Sequence, residues 1–291
     1  MRAFSFVLSL VLSGLAAAFA SGAPAFAGQV TVAAASNVVE PLELMAAQFT
    51  DATGHEVQII NGSTGKLYAQ IRRGAPFDLF LAADQERPAL LVQEGLTEGG
   101  AETYASGRLA LWSAAASARS HSDNPDGDQG AGLRARLMAG KFRRLAIADP
   151  ALAPYGLAAQ QVLTALELGD QAGNRLVLGE NIGQTFAFVS TGNADLGLVA
   201  LSQLLSPRLD LAPTWWEVPA SLHAPIRQDA VLLRGAGDNP AARAFRDYLF
   251  GAPGQAVLKE FGYLTDTDPK ATENTPKDTT PEDTTPEALG D

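Results

Sequence analysis

The chain has 291 residues, a hydrophobic fraction of 46% and a formal net charge of −11 at pH 7. A chain of this length can bury the core of one large domain or of two ordinary ones, whereas its acidity argues against a nucleic-acid-binding surface. It contains no cysteine, which excludes disulfide bonds, thiolate metal sites, cysteine nucleophiles and a lipid anchor on an N-terminal cysteine.

The first 27 residues have the pattern of a secretory signal peptide. Arg2 precedes an uncharged run from Phe4 to Ala20, and the segment ends in a small-x-small pattern at residues 25–27. A membrane anchor is the competing interpretation, but the run contains Ser and Gly and is shorter than the ~20 apolar residues that a span needs. We therefore expect export to the periplasm, with cleavage after Ala27.

The last 27 residues, Thr265 to Asp291, are expected to be disordered. They are rich in Thr, Pro, Asp and Glu, with eight acidic residues and two lysines, and they offer almost nothing to bury. Residues 28–264 should therefore form the folded body, which is long enough for two lobes.

The stretch Val30 to Ser36, VTVAAAS, predicts a strand that ends in small residues and a hydroxyl. Ser36 and Asn37 are favoured helix N-cap residues, and an apolar face spaced as in a helix follows from Leu42 to Phe49. Such a strand-turn-helix unit directs free N–H groups and the positive end of the helix dipole at the space above the strand, which suits an oxyanion. A close-packed turn without a ligand is the alternative.

The same arrangement repeats twice along the chain. The predicted strand Val57–Ile60 is followed by the polar turn at Ser63 and Thr64 and by a helix over Lys66–Arg73, and the strand Asp78–Ala82 is followed by a helix over Gln85–Glu94. Alternating strands and helices indicate a parallel sheet covered on both faces, with ligands outside the carboxyl ends of the strands. For Ser63 and Thr64 a plain helix cap is the alternative to a binding role.

A second alternating series predicts a second α/β lobe. After the strand Leu109–Trp112 and a long exposed loop over Ala114–Gly132, the predicted elements are Leu145–Ala148, Gly156–Leu168, Arg175–Leu178, Ile182–Ser190 and Leu196–Val199. The strands Thr214–Val218 and Ala230–Leu233 and the helices Pro240–Phe250 and Gln255–Phe261 would return the chain to the first lobe. We therefore assign residues 28–110 and 219–264 to lobe 1 and residues 111–218 to lobe 2.

Five separated motifs then point to one family. They are AAASNVVEPL, NGSTGKLYAQIRRGAPFDLFLAAD, IADPALAPYGLAAQQVL, GENIGQTFAFVSTGNADLGLVALSQ and HAPIRQDAVLL. Together, and in this order over roughly residues 29–264, they resemble the periplasmic molybdate-binding proteins of ABC importers. The resemblance implies an α/β fold of the type II periplasmic binding protein class, in which two α/β lobes close on a tetrahedral oxyanion in the cleft between them.

The resemblance also implies which residues bind the anion. By motif position, Ser36 and Thr64 would supply first-lobe hydroxyls, and Tyr155 and Ile182 would supply second-lobe backbone N–H groups, with Asn37 and Ser63 as adjacent candidates. Some family members place a ligand-facing tyrosine where this chain has Ala200, and Tyr155 stands where other members carry alanine. We therefore expect the donor at Ala200 to be absent or supplied elsewhere, with the Tyr155 hydroxyl as the candidate to replace it.

The function expected from these observations is capture of molybdate, and of tungstate, for delivery to an inner-membrane ABC permease and its ATPase. We expect a monomer without enzymatic activity, cofactor or direct metal-ion ligands. One alternative is a binding protein for another tetrahedral oxyanion, such as sulfate or phosphate. The other is an exported serine hydrolase with Ser36 as nucleophile, although the sequence shows no G-x-S-x-G elbow and no evident histidine partner.

Overall fold

A computed structural model describes residues 27–114, 130–209 and 214–265 of the chain. The predicted signal peptide, most of the predicted exposed loop and nearly all of the acidic tail lie outside these residues. Within them, no helix is long and apolar enough to cross a membrane, and no group of three or more His, Asp or Glu side chains could hold a metal ion.

Ten strands run through the described residues and form two five-stranded sheets. They are β1 (Gln29–Ala35), β2 (Glu56–Gly62), β3 (Leu79–Leu81), β4 (Glu102–Gly107), β5 (Leu109–Trp112), β6 (Leu145–Ala148), β7 (Leu176–Gly179), β8 (Leu196–Ala200), β9 (Trp215–Glu217) and β10 (Ile226–Leu232). The first sheet has the order β2-β1-β3-β10-β4 and the second β7-β6-β8-β5-β9.

Both sheets are mixed: the parallel pairing predicted for the alternating strands is confirmed, and each sheet also contains antiparallel strands. Strands β1, β2 and β3 are parallel to one another, and β10 runs antiparallel to β3 and β4. Likewise β6, β7 and β8 are parallel, and β5 runs antiparallel to β8 and β9. The antiparallel strands are those next to the crossings between the sheets, where the chain arrives from the other lobe rather than through a helical crossover.

The chain crosses from the first sheet to the second at Arg108, the single residue between β4 and β5. It returns through residues 218–225, between β9 and β10. Since all of β5 belongs to the second sheet, the first crossing precedes the boundary that we placed after residue 110. The limits of the two lobes otherwise remain a prediction.

Ten α-helices cover the sheets in the described part of the chain. They are α1 (Val39–Thr53), α2 (Thr64–Arg72), α3 (Glu86–Gln93), α4 (Ala131–Met138), α5 (Pro154–Ala165), α6 (Gly169–Ala172), α7 (Ile182–Ser190), α8 (Leu201–Leu204), α9 (Pro240–Phe250) and α10 (Ala252–Glu260). Strand β4 and helices α4, α6 and α8 were not predicted, and α4 begins within the last two residues of the segment that we had taken for an exposed loop.

The first strand-turn-helix unit shows why the local pattern was readable. Val32 and Ala33, which point to opposite faces of β1, are both completely buried, as expected for a strand covered on both faces. Helix α1 buries Leu42, Met45 and Phe49 and ends at Gly54, whose left-handed φ of 75° lets its N–H donate to the Thr50 carbonyl. The helix start was misassigned, because the N-cap is Val38 without a side-chain cap, and Ser36 and Asn37 bond elsewhere.

The turn that precedes β8 carries an ion pair with a pH-dependent contribution. Asp195 accepts hydrogen bonds from the Arg143 side chain and from the backbone N–H groups of Arg143 and Arg144. Partial burial favours the neutral acid, but the hydrogen bonds from Arg143 and Arg144 outweigh it and lower the pKa of Asp195. The carboxylate therefore stabilises the folded protein at neutral pH.

Candidate functional site

The carboxyl edges of the two sheets face each other across a closed interface. The turn after β2 meets the loop after β6, where the Gly65 N–H donates to the Leu152 carbonyl at 3.0 Å. Arg87 Nη2, at the start of α3, donates to the Ala151 carbonyl at 3.2 Å. The strand ends predicted to hold a ligand are therefore brought together, with direct hydrogen bonds between the two lobes.

Ser36 lies at the end of β1, opposite the first turn of α7. Its Oγ donates to the Gly62 carbonyl at 3.0 Å, and its own N–H donates to the same oxygen at 3.1 Å. A Cβ at Gly183 would lie 3.4 Å from the Ser36 Cβ and 3.9 Å from its Oγ. Ser36 and the start of α7 are thus neighbours across the cleft, although they are almost 150 residues apart in sequence.

Ser63 and Thr64 form the start of α2 and are both buried. Ser63 is the N-cap, whose Oγ lies 3.4 Å from the Lys66 nitrogen, so the helix-cap interpretation describes this hydroxyl. The Thr64 Oγ1 accepts a hydrogen bond from the Ala83 N–H, at the end of β3, over 3.1 Å. Because a hydroxyl has one proton and two lone pairs, Thr64 retains a proton that it can donate to a ligand.

Tyr155 and Ile182 lie at the starts of second-lobe helices. Tyr155 is the second residue of α5, whose N-cap is Ala153, and Ile182 is the first residue of α7, whose N-cap is Asn181. Backbone N–H groups in a first helical turn have no acceptor within the helix. Both residues belong to one cluster of buried side chains, which also contains Ala35 and Ala83 at the ends of strands in the first sheet. The backbone N–H groups of Tyr155 and Ile182 therefore lie at the interface between the lobes.

Asn37 is 3% exposed. Both protons of its side-chain amide are used in hydrogen bonds within the protein, so the amide has none left for an anion. Nδ2 donates to the Gln228 Oε1 at 2.7 Å and to the Tyr263 hydroxyl at 2.9 Å. Its Oδ1 is buried without a hydrogen-bond partner among the described residues, and a fully ionised oxyanion offers that atom no proton. The predicted contribution of Asn37 therefore falls to its backbone, next to Ser36.

Ala200 ends β8 and is completely buried in the same cluster as Tyr155 and Ile182. Its N–H donates to the Gln203 Oε1 at 3.1 Å, and the Gln203 Nε2 donates to the Ile182 carbonyl at 3.2 Å. Gln203, which the sequence did not single out, thus ties the end of β8 to the start of α7.

The expectation that the Tyr155 hydroxyl replaces a donor at Ala200 is wrong. That hydroxyl accepts a hydrogen bond from the Gln228 Nε2 at 3.3 Å, and a Cβ at Gly107 would lie 2.1 Å from its oxygen. The side chain therefore extends to the crossing between the lobes rather than into the cleft. Burial raises the pKa of Tyr155 well above its usual value, so the hydroxyl stays protonated.

A cavity of about 570 Å³ opens beside Ser36 between the lobes. It is lined mainly by polar side chains, among them Asn61, Asn181, Gln184 and Gln203. Ser63, Thr64, Tyr155 and Ile182 do not line this cavity. Of the six predicted site residues, this cavity therefore brings together Ser36 and Asn37.

The candidate donors are neutral, and the charged side chains lie at the rim of the cleft. The Lys66 Nζ lies 2.5 Å from the Glu180 Oε2 across one side, with both side chains partly exposed. On the other side Arg208 pairs with Glu43 at 2.8 Å. Hydroxyls and helix-terminal N–H groups can bind a dianion without a full counter-charge, and exclusion of water strengthens each bond.

Comparisons with known proteins agree with this geometry. Residues 30–264 match the family described as bacterial extracellular solute-binding protein. The molybdate-binding protein ModA of Azotobacter vinelandii is 45% identical over 260 residues, which cover 88% of this chain and 99% of the relative. That of Rhodobacter capsulatus is 40% identical over 267 residues, covering 91% and 97%.

The solved structures agree as well. The structure of the Azotobacter vinelandii periplasmic molybdate-binding protein superposes with a TM-score of 0.71 and 37% identity, covering 81% of this chain and 98% of that one. The sulfate-binding protein SubI of Mycobacterium tuberculosis superposes with a TM-score of 0.64 at 13% identity, a likeness that concerns the fold alone.

Proposed function

Because the chain belongs to the bacterial extracellular solute-binding proteins, we propose that it captures molybdate, and tungstate with it, in the periplasm. The proposal is supported by the contacts that bring strand and helix ends of the two lobes together, at Gly65 with Leu152 and at Ser36 with Gly183, in a chain 45% identical to a molybdate-binding protein over nearly its whole length. No bond is made or broken in this function, so the protein acts as a binding protein rather than an enzyme and needs no cofactor.

The proposed binding mode uses three donors from the first lobe and two from the second. Ser36 Oγ and Thr64 Oγ1 donate from the first lobe, and the N–H groups of Tyr155 and Ile182 donate from the second. Asn37 adds its backbone N–H, and Ser63 holds the start of α2 in place. An anion that receives hydrogen bonds from both sides favours the closed arrangement, because it interacts fully only there.

In this proposal the protein delivers the bound anion to an ABC permease and its ATPase. An exported binding protein that encloses its ligand must release it to a membrane partner, so the two lobes have to separate for delivery. We propose that the protein is a monomer whose signal peptide is removed after Ala27.

The alternative of a serine hydrolase receives no support from the surroundings of Ser36. A serine nucleophile needs a base that accepts its proton, and the Ser36 Oγ instead donates to the Gly62 carbonyl. The described histidines bond elsewhere: the His55 Nδ1 accepts from the Gly28 N–H, and the His223 ring bonds the Ala224 carbonyl.

Calorimetric titration of the purified protein with molybdate, tungstate, sulfate and phosphate tests the proposal. We expect tight binding of molybdate and tungstate and much weaker binding of the other two anions. Ser36→Ala should weaken molybdate binding, whereas Ser190→Ala, which removes a hydroxyl that also donates to a backbone carbonyl but lies at the far end of α7, should not. Binding of sulfate without any response to molybdate would overturn the proposal.

A further inference from the structure

The side chain of Tyr155 connects the second lobe to a buried polar network of the first. Its hydroxyl contacts the Nε2 of Gln228, a side chain with no solvent exposure. The Gln228 Oε1 in turn contacts the Asn37 Nδ2 at 2.7 Å and the Tyr104 hydroxyl at 2.8 Å. Tyr155 itself is 2% exposed, so this contact between the lobes is dry.

The backbone around Gln228 and Gly107 is shaped to admit the Tyr155 ring. The pairing of β10 with β4 shifts register between Gln228 and Asp229, which leaves Tyr104 as an extra residue on β4. Such a bulge redirects side chains, and here the Tyr104 hydroxyl reaches Gln228. Farther along β4, any Cβ at Gly107 would lie 2.1 Å from the Tyr155 hydroxyl oxygen and 2.9 Å from its Cζ.

The contact lies where the lobes are joined. Gly107 immediately precedes the crossing at Arg108, and Gln228 lies two residues into β10, just after the return crossing. The Tyr155 hydroxyl thus rests against both connections, while the backbone N–H of the same residue starts α5 at the interface. A second link runs from the Ser202 Oγ to the Asn37 carbonyl at 2.9 Å.

We propose that Tyr155 is a positioning residue, whose hydroxyl, anchored on Gln228 beside Gly107, sets the start of α5 against the first lobe in the ligand-bound arrangement. The inference rests on the proposed function. Opening that withdrew Tyr155 would break its hydrogen bond to the Gln228 Nε2 and admit water to a polar network that is dry in the closed arrangement. The anchor therefore slows release of the anion without touching it.

The test is the molybdate release rate of Tyr155→Phe, measured by stopped-flow tryptophan fluorescence. Trp112 is suited as a reporter because it stacks on Phe186, a residue that lines the cavity beside Ser36, at a ring distance of 4.7 Å. Loss of the hydrogen bond should raise the dissociation rate constant by about 5- to 30-fold and leave the association rate constant unchanged within about twofold, since affinity differences between variants fall mainly on dissociation.

Tyr104→Phe is the matched control. It removes a buried tyrosine hydroxyl from the same Gln228 and from the Ala82 carbonyl, but all of these partners lie in the first lobe. We expect it to lower the melting temperature as much as Tyr155→Phe while release stays at the wild-type rate. Equal acceleration in both variants would overturn the proposal, because it would indicate a general loss of stability.

Two further outcomes separate this proposal from the proposed function. A wild-type protein that binds neither molybdate nor tungstate removes the proposed function, whereas normal binding with the same release rate in wild type and Tyr155→Phe removes only the positioning role. If Tyr155→Phe does not fold, Gln228→Asn, whose amide is one methylene too short to reach the hydroxyl, should show the same fast release, and wild-type release in that variant would overturn the proposal.

Discussion

Replacement of Thr64 by valine leaves the volume of the side chain almost unchanged but removes a hydroxyl that forms two separate interactions. Thr64 is 1% exposed, its Oγ1 accepts a hydrogen bond from the Ala83 N–H at 3.1 Å, and the hydroxyl proton is proposed to bind the anion. Loss of a hydrogen bond to a charged group should weaken molybdate binding by about 1.5–3 kcal/mol, or roughly 10- to 150-fold.

The same substitution should destabilise the ligand-free protein. Thr64→Val leaves the buried Ala83 N–H unpaired, at a cost of about 1–3 kcal/mol. For a folded body of this size that is a fall in melting temperature of about 2–12 °C. Calorimetric titration measures the first effect and thermal unfolding followed by circular dichroism, without ligand, measures the second.

Ser36→Ala should differ in both respects. The Gly62 carbonyl keeps the Ser36 N–H as a donor, so the ligand-free protein should lose little stability. Because the Ser36 Oγ must give up its bond to that carbonyl in order to reach the anion, the net loss of affinity should be about 1 kcal/mol, or roughly fivefold. Thr64→Val is therefore expected to be the more damaging substitution.

Thr53→Val is a suitable control for Thr64→Val. The Thr53 hydroxyl accepts from the His55 N–H and donates to the Phe49 carbonyl at the end of α1, away from the cleft. It should leave molybdate affinity unchanged. Binding by Thr64→Val within twofold of the wild type, or a larger loss in Ser36→Ala than in Thr64→Val, would refute the reasoning.

Three more substitutions test the surroundings of the site. Gly107→Ala should lower the melting temperature by several degrees in scanning calorimetry, since overpacking against the Tyr155 hydroxyl costs about 1–3 kcal/mol; an unchanged value would contradict the contact. Lys66→Ala should weaken molybdate binding less than about fivefold, because a partly exposed ion pair with Glu180 contributes only about 0–1 kcal/mol, and high salt should abolish the difference; a large loss that persists in high salt would contradict this. Asp195→Asn should lower the melting temperature at neutral pH, because the Asp195 carboxylate stabilises the folded protein there. Hydrogen bonds lower the folded-state pKa of Asp195. The stabilisation by the carboxylate is therefore present above the unfolded carboxyl pKa of about 3.9 and is lost as the pH falls through the folded pKa. The two melting temperatures should therefore converge in acid, and equal values at neutral pH would contradict the role of Asp195.

Much of the architecture could be predicted from local patterns. The strand Leu109–Trp112 and the helix Ile182–Ser190 were predicted with the observed bounds, because burial on both faces and a capped helical start leave clear marks within a few residues. The alternation of side chains along a strand is equally local: Trp215 and Trp216 of β9 point to opposite sides and join different clusters.

Such local patterns could not predict the antiparallel strands or the start of α1. Strand β10 begins at Ile226, four residues before its predicted start, and it pairs with β3 and β4. Pairing partners and direction depend on where the chain returns after the second lobe, which no short stretch encodes. At α1 the expected caps were wrong because Ser36 and Asn37 find partners in β2 and β10 that outcompete the helix end.

The sequence by itself determined the two series of strands and helices, the polar residues at their ends and the family motifs that name Ser36, Thr64, Tyr155 and Ile182. Only the tertiary structure decided that the Tyr155 hydroxyl faces Gln228 rather than the cleft. Helical periodicity and turn chemistry act over a few residues and are visible in the chain. A buried hydrogen-bond network instead joins groups up to 226 residues apart, and its geometry exists only once both lobes have packed and excluded water.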